Sequence, residues 1–179
     1  MIRRTFLSAL AAVTTLGLAL GLTTSAHAKQ PVPANNIVDV AIAVNSSGDY
    51  KGAFDTLIAA VLAADPAVVK RLTSKGQSTV FAPTDDAFAL LGLTPENVGT
   101  LDKEFLTDVL LYHVVTGRRD SAQVLGSTRL RTLQGGILRQ AGGVLTDNLG
   151  RKAAIIVRDV PASNGIIHAI DAVVLPYAP

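Results

Sequence analysis

Two histidines and a few aspartates are the residues of this 179-residue chain whose types and spacing suggest chemistry. His113 lies in Leu111-Tyr112-His113-Val114-Val115, and His168 lies in Ser163-Asn164-Gly165-Ile166-Ile167-His168-Ala169-Ile170-Asp171. Two imidazoles and an aspartate can hold a divalent ion if all three converge at about 2 Å from it. Ser163, His168 and Asp171 are the side-chain types of a hydrolytic triad, and Asp85-Asp86 is a carboxylate pair of the kind used in acid-base or metal chemistry. Each set also has a structural reading. In an extended strand, His168 shares a face with Ile166, Ile170, Ala172 and Val174 while Asp171 points to the other, which separates the triad. His113 follows Phe105, Leu106, Val109 and Leu110 at helical spacing, which puts a neutral imidazole with a satisfied hydrogen bond in a core.

The elements that position these groups follow from pattern. In Thr79-Val80-Phe81-Ala82-Pro83-Thr84-Asp85-Asp86-Ala87-Phe88 a buried strand is stopped by Pro83. Thr84 then caps a helix whose first turn carries Asp85 and Asp86 against the positive end of the helix. Asp65-Pro66 and Asp102 mark further helix starts. Helical periodicity dominates residues 36–75, with Ile37, Val40, Ala41 and Val44 on one face and Phe54, Leu57, Ile58, Val61 and Leu62 on another. After residue 113, Gly135-Gly136, Gly142-Gly143 and Asp147-Asn148-Leu149-Gly150 punctuate short apolar runs, as in strands and hairpins. Helices followed by strands predict an α+β domain.

The N-terminus reads as an export signal. Arg3 and Arg4 precede an apolar run from Phe6 to about Leu22, and Ala26-His27-Ala28 offers a cleavage site after Ala28. Arg3-Arg4-Thr5-Phe6-Leu7 also resembles the core of a twin-arginine signal. The run is at the lower limit for a bilayer span, about 17 residues, and the Ala-x-Ala exit favours cleavage over retention as an anchor. The organisation expected is a signal peptide over 1–28, a Pro-rich tether over 29–35 and one domain over 36–178. Contact with a membrane is then confined to the transient signal.

Residues 1–28 carry two of the 16 basic side chains and none of the 14 acidic ones, so their removal leaves a formally neutral chain. Neutrality argues against nucleic acid as a partner, as does the absence of Trp. The chain has no Cys, which excludes disulfide scaffolds, thiolate catalysis and cysteine zinc sites. It also lacks a Gly-x-Ser-x-Gly elbow, a His-Glu-x-x-His helix, a phosphate-binding Gly-x-x-x-x-Gly-Lys loop and a dinucleotide fingerprint. The reading is of a protein that is not an enzyme and needs no cofactor.

Three dissimilar motifs agree in order and spacing with one family. Thr79 to Phe88, Tyr112-His113 and Ser163 to Asp171 resemble the first block, the tyrosine-histidine pair and the second block of the fasciclin (FAS1) domain. Leu130-Arg131-Thr132-Leu133-Gln134-Gly135 resembles its strand leading into a Thr-Leu-x-Gly turn. The resemblance implies a wedge-shaped β-sandwich of about seven strands with helices packed along one edge. It also implies a secreted or periplasmic single-domain protein of the bacterial type, acting in adhesion or in surface and matrix contact. Within the blocks, Thr84, Asp85, Asn164, Gly165, His168 and Asp171 read as folding determinants, with Asn164-Gly165 expected to supply the positive φ angles of a tight turn.

In animal members of the family, the tyrosine-histidine pair and a segment before the second block are implicated in integrin binding. The matching positions here are Tyr112, His113 and Asp159, but Val157-Arg158-Asp159-Val160-Pro161 keeps little besides the aspartate, and integrin recognition is not carried over. Charge offers a different surface. Residues 29–112 hold six basic and ten acidic side chains, whereas residues 113–158 hold eight basic and two acidic ones. Arg129 and Arg131 alternate on a strand, with Arg118, Arg119, Arg139, Arg151 and Lys152 nearby, which suggests docking of another protein or of an anionic surface polymer. The competing reading is a carrier of a small apolar ligand such as a carotenoid or lipid, since some fasciclin-like proteins bind carotenoids and 49% of the residues are hydrophobic.

Overall fold

The computed structural model describes residues 34–178, so the expected signal peptide, its cleavage site at Ala28 and most of the tether lie outside them. Helix α1 (Ile37–Ser46) starts at Asn36, whose side chain accepts from the Val38 and Asp39 N–H groups while the Asp39 carboxylate accepts from Asn36 N–H. Asp65, Thr84 and Asp102 cap α3 (Pro66–Thr73), α4 (Asp85–Ala89) and α5 (Lys103–Tyr112), as their sequence positions predict. Helix α2 (Asp55–Ala63) has no capping side chain of its own. Asp85 serves it from the next motif, its carboxylate accepting from Thr56 N–H at 2.8 Å and Asp55 N–H at 3.2 Å.

Among the described residues there are seven strands, β1 (Ser78–Pro83), β2 (Val114–Thr116), β3 (Arg129–Arg131), β4 (Ile137–Ala141), β5 (Val144–Thr146), β6 (Lys152–Ala162) and β7 (Gly165–Ile170). Helix α6 (Ser121–Leu125) lies between β2 and β3. The strands run in the order β2-β1-β7-β6-β5-β4-β3, parallel between β1 and β7 and antiparallel elsewhere. Strand β6 joins two halves: its first residues pair with β5 and the rest, interrupted by register shifts, pair with β7. Bulges bend and twist a strand. The ends of the order meet again through a bridge between Val115 and Thr132, so the sheet curls over on itself.

Two cores result. Phe81, Tyr112, Leu130, Leu138, Leu145 and Ile170 fill the curl of the sheet, all at most 1% exposed. Ile37, Val68, Leu72, Val80, Ala82 and Leu106 fill the layer between β1-β7 and the helices. All residues of β1 and β7 are buried, the polar Ser78, Thr79 and His168 included. Strand β7 is shorter than its sequence suggests. It stops at Ile170, because Asp171 turns to bond the Ala154 backbone, its carboxylate accepting from Ala154 N–H and its N–H donating to Ala154 O. Val173, Val174 and Leu175 continue into the core outside the ladder.

The Asn164-Gly165 turn differs from expectation. Neither residue has a positive φ. Asn164 acts through its side chain, Oδ1 accepting from Ile37 N–H at 2.9 Å and Nδ2 donating to Leu72 O at 2.6 Å and Ser74 O at 2.8 Å. Gly165 is required by space: a Cβ there would overlap the Ser78 carbonyl oxygen and lie 2.7 Å from Ile37 Cδ1. A turn that only needed conformational freedom would accept Asn164→Gly. We expect Asn164→Gly and Asn164→Ala to destabilise alike, by about 2–4 kcal/mol for the buried groups left unpaired, as measured by urea unfolding. A near-neutral Asn164→Gly would return the role to the turn.

Candidate interaction surface

The residues that suggested chemistry are consumed by the backbone. His113 caps the end of α5, its Nδ1–H donating to Val109 O at 2.7 Å and its Nε2 accepting from Val174 N–H at 3.2 Å. His168 is wholly buried, its Nδ1 accepting from Asp159 N–H at 3.2 Å and its Nε2–H donating to Arg119 O at 3.1 Å. Its ring stacks on Phe81 at 5.7 Å. No ring lone pair remains for a metal or for a serine proton. Asp171 is held by Ala154, not by His168, and Asp85 is held by α2. Among the described residues no group of three His, Asp or Glu side chains can hold an ion. Burial pushes the His113 pKa down to about 4 against the opposing pull of the Val109 carbonyl, and burial lowers His168 as well.

The tyrosine-histidine pair presents no surface to a partner. Tyr112 is fully buried, its hydroxyl donating to Ile137 O at 3.0 Å, and burial raises its pKa. Asp159 is exposed but occupied. It takes a φ of 62° at an irregular point of β6, and its carboxylate accepts from both the Ser121 N–H and the Ser121 hydroxyl at the start of α6.

The basic side chains divide into two groups. Arg118 donates through one guanidinium nitrogen to Ala162 O at 2.7 Å and Gly165 O at 2.9 Å, which holds the β6–β7 turn. Arg119 contributes its carbonyl to His168, and its Nε is buried. Arg151 binds Asp147 through Nε at 2.9 Å and Nη2 at 2.8 Å. Arg118 and Arg151 are thus tied into the fold by their side chains, and Arg119 through its carbonyl. Arg129, Arg131, Arg139 and Lys152 are exposed instead.

Strand register fixes where those four point. Arg129 opposes Arg139, Arg139 opposes Thr146, and Thr146 opposes Lys152, so one row crosses β3, β4, β5 and β6. Leu130, Leu138, Leu145 and Ala153 alternate with them into the core. The outward side chains of these strands up to Ile156 include four cations and no carboxylate. Among the described residues the Arg151–Asp147 pair is the only salt bridge, so none of the four is neutralised by one. Sequence reasoning found Arg129 and Arg131 on one face by alternation. It did not find the pairing of Arg129 with Arg139, which depends on the register across the Gly135-Gly136 turn.

A second feature lies under the helices that cover β1 and β7. An apolar cavity of about 140 Å³ opens between α1, α2 and α3 and is lined by residues including Val38, Ile42, Ile58, Val61, Val69 and Ile167. A neighbouring apolar cavity of about 120 Å³ shares Ala41, Ala82 and Ile167 with it. Leu62, 76% exposed, stands at the rim of the first.

The histidine geometry carries a prediction for stability. The folded state binds a proton at His113 less readily than the unfolded chain does. Stability from this group is therefore full above about pH 6.5 and is lost as pH falls toward about 4, by up to about 3 kcal/mol. His113→Phe should remove much of that pH dependence while costing about 1–3 kcal/mol at neutral pH for the orphaned Val174 N–H. Melting temperatures across this range check both, and an unchanged acid slope in the variant would contradict the assignment.

Comparison with known proteins gives these features a family. The fasciclin domain model matches residues 52–176, which include all seven strands and α2 to α6. Protein sll1483 of Synechocystis sp. (strain ATCC 27184 / PCC 6803 / Kazusa) is 39% identical over 179 residues, covering 89% of this chain and 91% of that protein. The transforming growth factor-beta-induced protein ig-h3 of Sus scrofa is 32% identical over 148 residues, covering 82% of this chain but 20% of that much longer protein. The structure of a FAS1 domain pair from the insect cell adhesion molecule Fasciclin I matches with a TM-score of 0.55 over 71% of this chain and 47% of that one, and at 23% identity it shows a shared fold. With its two sequence blocks forming adjacent parallel strands β1 and β7 in this fold, the chain belongs to the fasciclin domain family.

Proposed function

We propose that this protein works outside the cytoplasm as a single-domain interaction module of the adhesion type. It docks an anionic partner through the outward face of β3 to β6. The observation that carries the reading is the row of cations from Arg129 to Lys152 with no carboxylate among them. Like charges directly opposed across a strand pair are unfavourable, by up to about 1 kcal/mol, so the Arg129–Arg139 pair does not serve the fold. An anion laid across it relieves that repulsion. The export signal expected at residues 1–28 and the fold shared with the insect cell adhesion molecule Fasciclin I support an external role. The side chains that enzymes use for proton transfer are bonded to backbone here, which supports a role in binding and not in catalysis.

A second reading rests on the cavity between α1, α2 and α3, which is apolar throughout and open at one side. It suits a slender apolar ligand. Solvent extraction of protein purified from its native host separates the two: a carrier releases pigment or lipid, and a docking module releases neither.

The principal test uses the envelope or matrix fraction of the host. Binding to it should weaken as salt rises, because screening shortens electrostatic reach to about 8 Å at physiological ionic strength. Arg129→Glu with Arg131→Glu should reduce binding at least about tenfold with little change in melting temperature, since both side chains are exposed. Salt-insensitive binding, or full binding by this double variant, would move the docking surface elsewhere.

A further inference from the structure

Next to the cation row the surface is recessed. A depression of about 270 Å³ is lined by Arg129, Arg139, Gly135, Gly136, Ile137 and Asn148. Asp147 also borders it, but its carboxylate is spent on Leu149 N–H, Arg151 N–H, Leu175 N–H and the Arg151 guanidinium. The charge left unbalanced in the recess is that of the two arginines. Its floor is built in from below. The Tyr112 hydroxyl holds Ile137 O, and a Cβ on Gly136 would lie 2.6 Å from Tyr112 Cε2, so glycine is needed for the turn to lie flat on the ring. Asn148 is anchored at the margin by its amide, which donates to Pro176 O at 3.3 Å.

Building on the docking reading above, we propose that this recess is a subsite for one oxyanion, a carboxylate or sulfate, of a linear acidic polysaccharide. Guanidinium forks match planar or tetrahedral oxyanions through paired hydrogen bonds. Two arginines from adjacent strands can hold such a group from both sides. The recess holds one group, and beyond it the cations continue across β4, β5 and β6 to Lys152, three strand spacings or roughly 14 Å from Arg129. One seated anion followed by a line of exposed positive charge fits a chain with anions on successive sugars. A flat bilayer surface would meet the row but would not fill the recess.

The test titrates the purified protein with polygalacturonate, its methyl ester, dextran sulfate and phosphatidylglycerol vesicles. Polygalacturonate or dextran sulfate should bind and the ester should not, and whichever polymer binds more tightly identifies carboxylate or sulfate as the group seated. Arg139→Gln should weaken that binding about tenfold, Lys152→Gln by no more than about twofold, and neither should shift the melting temperature appreciably. Equal losses from the two variants would overturn the subsite and leave the docking face standing. Binding to vesicles but not to either polymer would replace the polysaccharide with a membrane. If neither polymers nor vesicles bind while the envelope fraction still does in a salt-sensitive way, the partner is an acidic protein and the subsite is again overturned. Salt-insensitive envelope binding would remove the docking face as well.

Discussion

The side chain of Asn164 is the constraint on which the arrangement of this domain turns. Its carbonyl oxygen receives the first N–H of α1 and its amide holds the last carbonyls of α3, while its backbone carbonyl accepts from Ser78 N–H at the start of β1. Ile37 is 127 residues away in sequence and Leu72 is 92 away. One buried amide therefore ties two helix ends and the central parallel strand pair to the same turn. Gly165 beside it lets β7 close against β1 with no side chain between them. Because β7 then pairs with β6, and β6 carries β5, β4 and β3, the position of the exposed basic row is inherited from this junction.

Polar groups in the family's blocks follow the same logic. Asp85 closes the open end of α2, Asp171 ends β7, His113 joins the end of α5 to the C-terminal segment, and His168 joins β7 to the bulge at Asp159. Each pairs a backbone group that its own element leaves open, and where such a group is buried the loss of its partner costs about 1–3 kcal/mol. Chemistry-bearing residue types thus act as fasteners. The exposed basic side chains of the row stand on strands outside the two blocks, on β3, β4 and β6.

Much of this was legible in the sequence. The helix starts at Asp65, Thr84 and Asp102 depend on residues one to three positions away, and the burial of β1 and β7 follows from their apolar composition. The Arg129 and Arg131 face follows from alternation alone. The cap that Asp85 provides for α2, the reach of Asn164 to Ile37 and Leu72, and the pairing of Arg129 with Arg139 are non-local and leave no mark in local pattern. The misreadings have the same origin. Asn-Gly signals a positive-φ turn by composition, but here a side chain bonded across the fold and a steric need at Gly165 decide both residues. Likewise Arg118 and Arg151 count as surface charge until their carbonyl and carboxylate partners are known.

The apolar cavity beneath α1 and the basic row on β3 to β6 lie on different elements, so occupancy of one can be told from occupancy of the other. Backbone amide shift mapping during titration with solubilised host envelope material does so in a single measurement. The account expects perturbations centred on Arg129, Arg139, Thr146 and Lys152, fading as salt is added, with α1 and α2 unmoved. Perturbations centred on Val38, Ile42, Ile58 and Val61 and indifferent to salt would contradict it.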